Sequence, residues 1–158
     1  MPKMQFTNYF FASIISYLGL LIGILLINIA PEEQKPLEKS FTLARKILLL
    51  MIFIFAAFYY FNDYLNLLAL IFYFAFVLFI EFKVSDLLKK SIITYSMLGI
   101  LFFLSSKNTN LFAIESSFML VYGLPTASLM YNIKEKNEYK IIFYNIGFVI
   151  IANLLFFI

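Results

Sequence analysis

The sequence contains no histidine and no cysteine, and its only aspartates are Asp63 and Asp86. Without histidine or cysteine it has no Ser-His triad, no thiol nucleophile, no zinc site of the usual type and no haem ligated by those residues. The two aspartates are predicted on opposite sides of a membrane, so they cannot form the carboxylate pair of an intramembrane aspartyl protease. No glycine-rich phosphate-binding loop is present. We therefore expect no metal ion and no cofactor, and an enzymatic function is disfavoured.

Charge is also scarce, since charged residues make up 13% of the chain and hydrophobic residues 63%, with a mean hydropathy of +0.93. Such a composition is typical of a protein dissolved in lipid rather than in water. In hydrocarbon every backbone amide must be satisfied within its own segment, so the long apolar runs must be helices. Alternating hydrophobicity, which would indicate a barrel, is absent. We predict an all-α, polytopic integral membrane protein with a single domain over residues 1–158.

Six short transmembrane helices are predicted, separated by brief polar connectors. They cover residues of about 9–30, 44–61, 64–80, 87–104, 111–133 and 141–158. The fourth span is short, and it reaches membrane length only if Lys89 and Lys90 extend toward the lipid headgroups. In the fifth span, Gly123 and Pro125 predict a kink, because proline removes a backbone donor and crowds the preceding turn.

The cations are distributed unevenly between the two sides that these spans define. Those on the first, third and fifth connectors are Lys35, Lys39, Arg45, Lys46, Lys83, Lys89, Lys90, Lys134, Lys136 and Lys140, whereas only Lys3 and Lys107 lie on the opposite side. Positive connectors stay in the cytoplasm, so both termini are predicted on the non-cytoplasmic side of a cell membrane or an organellar inner membrane. Because the cations flank spans, we expect membrane lipids as partners and no nucleic acid.

Glu115 is the ionisable residue that lies inside a predicted span, about one turn from its start. At helical spacing it shares a face with Met119, Tyr122 and Thr126, which could form a polar path or a ligand pocket next to the kink. The alternative is that Glu115 lies near the outer headgroups and caps or hydrates the start of the helix. The shallow depth favours this alternative.

Two further patterns predict contacts between helices. The first span carries a row of small residues, Ala12, Ser16, Gly19 and Gly23, which allows close approach of a second helix from this chain or from another subunit. In the sixth span, Asn145 and Asn153 lie about two turns apart, so they could bind a neighbouring helix or a substrate. For both patterns, packing within the chain is the favoured interpretation.

Three functions are compatible with these features. The favoured hypothesis is a non-catalytic subunit or scaffold that packs against protein partners, as a homo-oligomer or in a hetero-complex. The second is a small, oligomeric transporter or channel with its polar path near Glu115. The third is a lipid-modifying enzyme, for which the sequence supplies no nucleophile or metal cluster.

Overall fold

The computed structural model describes residues 5–132 and 137–158, and all regular secondary structure in these residues is helical. The helices are α1 (Phe6–Ile29), α2 (Gln34–Tyr59), α3 (Tyr64–Lys83), α4 (Leu87–Ser105), α5 (Thr109–Met130), α6 (Glu138–Asn145) and α7 (Gly147–Phe156). A single 3-10 turn, Pro31–Glu33, joins α1 to α2, and α6 and α7 form one rod interrupted at Ile146. The all-α prediction is confirmed.

Within residues 5–132 and 137–158, five helical segments are long and apolar enough to cross a membrane. They are Phe6–Ile29, Pro31–Tyr59, Tyr64–Lys83, Leu87–Ser105 and Glu138–Phe156. The protein is therefore a membrane protein by the length and composition of its helices. Ile133, the predicted end of the fifth span, lies outside the described residues, and so do the cations Lys3, Lys134 and Lys136.

Helix α5 does not meet the apolarity that marks the other spans, although its 22 residues are long enough. It contains Glu115, Ser116, Ser117 and Thr126, which lower its hydropathy. It is nevertheless the central helix of the bundle, because it packs against α1, α2 and α4. Several of its polar side chains therefore face other helices instead of lipid, where a hydrogen-bonding group would be costly.

Polar side chains fix the starts of three helices. Asp63 accepts a hydrogen bond from the backbone N–H of Asn66, Asp86 from that of Leu88, and Asn108 from that of Asn110, over 3.3, 2.9 and 3.0 Å. These N-caps satisfy backbone donors that a helix leaves open at its start. Because these three connectors are short, the helices that they join run antiparallel.

The two ends of the bundle differ in what they contain. At one end, which we call the terminal end, the rings of Phe6 and Phe156 have centroids 5.4 Å apart. The α2–α3 and α4–α5 turns also meet there, because the Tyr60 hydroxyl donates to the Leu104 carbonyl over 3.0 Å. At the opposite end, which we call the basic end, the amide of Gln34 donates to the carbonyl of Tyr131 over 2.7 Å. Both described ends of the chain thus lie at the terminal end.

The tightest helix contact is the crossing of α1 and α5. A β-carbon on Gly19 would overlap the carbonyl oxygen of Leu120, and one on Gly23 would lie 2.5 Å from that of Leu124. No side chain fits at either position without moving a backbone. The small residues of α1 therefore allow α5 to reach the centre of the bundle.

Helix α3 is peripheral by comparison, since it buries only Leu70, Val77, Ile80 and Glu81. Most of its aromatic and aliphatic side chains face outward, which is expected of a helix in contact with lipid. Within the bundle, the hydroxyl of Tyr73 donates to the carbonyl of Met97 on α4. At the other end of α3, the carboxylate of Glu81 is buried.

Candidate functional site

Three charged side chains meet inside the basic half of the bundle. Arg45 of α2 donates a hydrogen bond to Glu81 of α3, and the Nζ atom of Lys90 on α4 lies 3.7 Å from the same carboxylate oxygen, Oε1. The exposed fractions are 3% for Arg45, 6% for Glu81 and 9% for Lys90. Residues of these types are almost never buried to this degree unless they are paired.

The position of each of these residues follows from its place in its helix and from the short α3–α4 connector. Arg45 lies on the stripe of α2 that continues through the buried residues Leu49 and Ile52, at helical spacing. Glu81 belongs to the last turn of α3 and Lys90 to the first turn of α4. The connector Val84, Ser85 and Asp86 is so short that these two turns must be neighbours.

The cluster carries an excess of positive charge, because two cations share one carboxylate. Among the described residues, neither Nε of Arg45 nor Oε2 of Glu81 has a hydrogen-bond partner, although both atoms are buried. The Nε–H group of Arg45 can only donate, so no hydrogen bond offsets the free energy that its removal from water costs. Removing such groups from water is costly, and a protein keeps them where something binds or where a network requires them.

Hydroxyl groups of α4 and α5 lie immediately deeper in the bundle. Thr94, Tyr95 and Tyr122 are buried, and the rings of Tyr95 and Tyr122 lie 5.7 Å apart. Arg45 and Glu81 are within electrostatic range of the Tyr122 hydroxyl. The hydroxyl of Tyr95 has no hydrogen-bond partner among the described residues, whereas the Tyr122 hydroxyl lies beside the hydroxyls of Thr94 and Thr126. We call Arg45, Glu81, Lys90, Thr94, Tyr95 and Tyr122 the polar cluster.

Glu115 lies in the terminal half of the bundle and is completely buried. Neither of its carboxyl oxygens has a hydrogen-bond partner within residues 5–132 and 137–158, and Asn108 occupies the N-cap of α5 instead. The cap that the favoured interpretation assigns to Glu115 is therefore supplied by Asn108. Its carboxyl is within electrostatic range of the Tyr60 hydroxyl at the α2–α3 turn.

The face of α5 that carries Glu115 at helical spacing points into the bundle from Glu115 to Thr126. Met119, Tyr122 and Thr126 are buried like Glu115, and the hydroxyl of Thr126 donates to the backbone carbonyl of Tyr122 over 2.7 Å. The same face thus joins the isolated carboxyl to the polar cluster. Helix α5 continues through Gly123 and Pro125 to Met130.

Two sequence-based interpretations of cations are corrected by these contacts. Lys89 is exposed, but Lys90 does not extend to the headgroups, because it turns inward to Glu81. Arg45 is likewise buried, although its charge was attributed to a connector. Glu81 lies just beyond the predicted end of the third span, residue 80, yet it occupies the last turn of α3.

The asparagines of the final rod lie apart from the polar cluster and join helices. Asn145 accepts a hydrogen bond from the Ser91 hydroxyl over 2.8 Å, and Asn153 donates to the Ser13 hydroxyl over 3.0 Å. Each also donates to a backbone carbonyl one turn earlier, Ile141 and Val149 respectively. Both residues therefore join helices, and Oδ1 of Asn153 is buried without a hydrogen-bond partner among the described residues.

The small-residue row of α1 is also turned toward other helices of the chain. Gly19 and Gly23 form the crossing with α5, and the hydroxyl of Ser16 donates to the carbonyl of Ser116 over 3.0 Å. Ala12 is half-buried and lines a small surface pocket with Ser16 and Ser116. The row serves packing within the chain.

Sequence reasoning missed the meeting of Arg45, Glu81 and Lys90. One signal was available, since Arg45 stands on the apolar stripe of α2, where a cation directed to the headgroups would not be expected. The pairing with Glu81 had no such signal. It depends on how α2 and α3 are rotated against each other.

No protein-family model, curated protein or solved structure matches the chain, so the assignment of a function rests on the geometry of the buried polar residues alone.

Proposed function

We propose that the chain crosses the membrane six times, with both termini on the non-cytoplasmic side. The five apolar segments and the central helix α5 supply the six spans. The described connector cations, including Lys35 and Lys83, belong to the basic end, and Lys107 belongs to the terminal end, which supports a cytoplasmic basic end.

The absence of cysteine makes this orientation straightforward to test. We expect Lys107→Cys, in the exposed α4–α5 turn, to react with a membrane-impermeant maleimide added outside intact cells. Ser85→Cys, exposed in the α3–α4 connector, should react only after the membrane is permeabilised. The reverse pattern of labelling would show that the orientation is inverted.

We further propose that the protein is a small transporter or channel whose path follows the buried face of α5. The observation that carries this proposal is the polar cluster, because buried ionisable groups with unused hydrogen-bonding atoms in a membrane helix bundle mark ligand or ion pathways more often than packing contacts. A scaffold would be equally well served by apolar side chains at these positions. Two structural asparagines already provide polar contacts between helices.

The positions of the polar groups fit a path between the two ends. Glu115 lies near the terminal end and the polar cluster near the basic end. Tyr122 follows Glu115 by two helical turns, a rise of about 10 Å, with Met119 between them on the same face. An ion that enters at either end therefore meets a polar side chain before it reaches the apolar middle of the bundle.

Flux into proteoliposomes tests the proposal, with protons, alkali cations and halides offered separately. We expect flux in at least one of these experiments, and we expect both Glu115→Gln and Tyr122→Phe to reduce it at least several-fold. Matched controls are Glu38→Gln and Tyr64→Phe, whose side chains are exposed, and these should leave flux unchanged.

The opposite result would favour the subunit hypothesis. If none of the ions moves faster than in protein-free liposomes, and the gently purified protein carries a second chain in stoichiometric amount, transport is excluded as the function and a subunit of a membrane assembly takes its place.

A further inference from the structure

We propose that the polar cluster is a binding site for a small monovalent anion, held between the cations Arg45 and Lys90 and the hydroxyls of Tyr95 and Tyr122. The inference rests on the proposed function in so far as it names the substrate class of the path. Binding of the anion can be measured without transport, so the two proposals can fail separately.

The site carries a net positive charge. Arg45 and Lys90 contribute two positive charges and Glu81 one negative charge, which leaves one positive charge without a counter-ion inside the bundle. Lys46, an exposed neighbour on α2, adds to the positive potential at Lys90. A charge in a poorly polarisable interior is stabilised by an opposite charge in contact with it, and one monovalent anion supplies the missing charge.

Several hydrogen-bond donors of the site are unused. Nε of Arg45 and the hydroxyl of Tyr95 are buried without an acceptor among the described residues, and the Tyr122 hydroxyl has two other hydroxyls, those of Thr94 and Thr126, beside it. Unused donors beside a net positive charge match an anion. Water could accept the hydroxyl protons, but it would leave the charge uncompensated.

Burial of the site limits the valence of the ligand. All members of the polar cluster are at most 9% exposed, so a bound ion must lose most of its hydration shell. The cost of desolvation grows with the square of the ionic charge, which penalises divalent anions such as sulfate against halides. A cation is disfavoured because Arg45 and Lys90 would repel it.

Oε2 of Glu81 is also buried without a hydrogen-bond partner among the described residues, and its negative charge would repel a bound anion. Its carboxylate is the counter-ion of the two cations, and a bound anion must lie on the side of Arg45 away from it. Tyr95 follows Lys90 by five residues on α4, so it begins about 7.5 Å farther from the basic end than Lys90 does.

Equilibrium dialysis of the full-length protein in detergent micelles against radioactive sodium chloride tests the site directly. We expect saturable binding of one chloride per chain, and we expect sulfate to compete poorly. Tyr122→Phe removes one donor and keeps the ring, so it should weaken binding about ten- to a hundredfold, the effect of one hydrogen bond to a charged group. Tyr64→Phe, an exposed tyrosine on α3, should bind as the wild type does.

A second variant guards against misfolding. Arg45→Lys keeps the charge and loses Nε–H and the planar fork, so it should also weaken chloride binding while the helical circular dichroism signal stays unchanged. Wild-type protein that binds no chloride, or a folded Tyr122→Phe variant with wild-type affinity, would overturn the inference. Chloride binding without any ion flux would support the site and refute the transporter. Cation flux without chloride binding would support the transporter and refute the anion site.

Discussion

The interaction between Glu81 and the two cations allows a quantitative test of the structure. Replacing Glu81 by glutamine removes the only carboxylate that contacts Arg45 and Lys90 within the described residues, and it leaves two buried positive charges facing each other. Removal of one partner of a buried ion pair costs about 3–5 kcal/mol, because the remaining charge is left without compensation. Glutamine keeps one acceptor for Arg45, so we expect a loss near the lower limit, about 3 kcal/mol.

The measurement is unfolding of the purified protein in mixed micelles of a mild detergent and dodecyl sulfate, followed by far-ultraviolet circular dichroism. Glu38→Gln is the matched control, since Glu38 is exposed on α2 and an exposed charge contributes at most about 1 kcal/mol. The control should stay close to the wild type.

A double variant separates the ion pair from other effects of the substitution. Arg45→Gln with Glu81→Gln restores the net charge of the wild-type cluster, because only Lys90 remains charged. The double loss should therefore be smaller than the sum of the single losses, by about 1–3 kcal/mol. A loss below about 1 kcal/mol for Glu81→Gln, or strict additivity in the cycle, would refute the burial of this ion pair.

Three further predictions concern the helices around the cluster. Gly19→Ala forces α1 and α5 apart and should lower the free energy of unfolding by about 1–3 kcal/mol, whereas Gly147→Ala, whose β-carbon would meet only the Ser96 hydroxyl at 3.1 Å, should change it little. The same micelle titration checks both variants, and equal losses would contradict the close crossing. Asn145→Ala removes the hydrogen bond from Ser91 and should cost about 1 kcal/mol, as calorimetry or the same titration can measure; a neutral result would place Asn145 outside the α4 contact. Glu115→Met should stabilise the protein by about 1–3 kcal/mol, because it replaces a buried carboxyl without a described hydrogen-bond partner by an apolar side chain of similar length. Destabilisation by this substitution would show that the carboxyl has a favourable partner in the membrane.

Much of the fold could be predicted from the sequence because the hydrogen bonds of a membrane helix are local. Hydropathy predicts the five apolar segments, and the polar connectors delimit the less apolar α5 and mark the helix ends to within a few residues, as for α3 and α4. The start of α2 was placed less well as a span, because its first turns are amphipathic and form a helix without being apolar.

The candidate site was only partly predictable. Helical spacing placed Glu115, Tyr122 and Thr126 on one face, and the structure turns that face inward. The meeting of Arg45 with Glu81 joins residues 36 positions apart on separate helices. Such a pairing depends on helix rotation and on which helices are neighbours, and neither quantity is recorded in local sequence patterns.

The crossing of α1 and α5 has a consequence for the order in which the protein assembles. The contact between Ser16 and Ser116 joins residues separated by 100 positions, so α1 enters the bilayer long before its partner is synthesised. At about 5–20 residues per second the interval is on the order of 5–20 s. During that time the groove formed by Gly19 and Gly23 is open to lipid or to the insertion machinery. A helix that occupied this groove early would have to be displaced by α5, and the rate of that exchange would limit the formation of the native bundle.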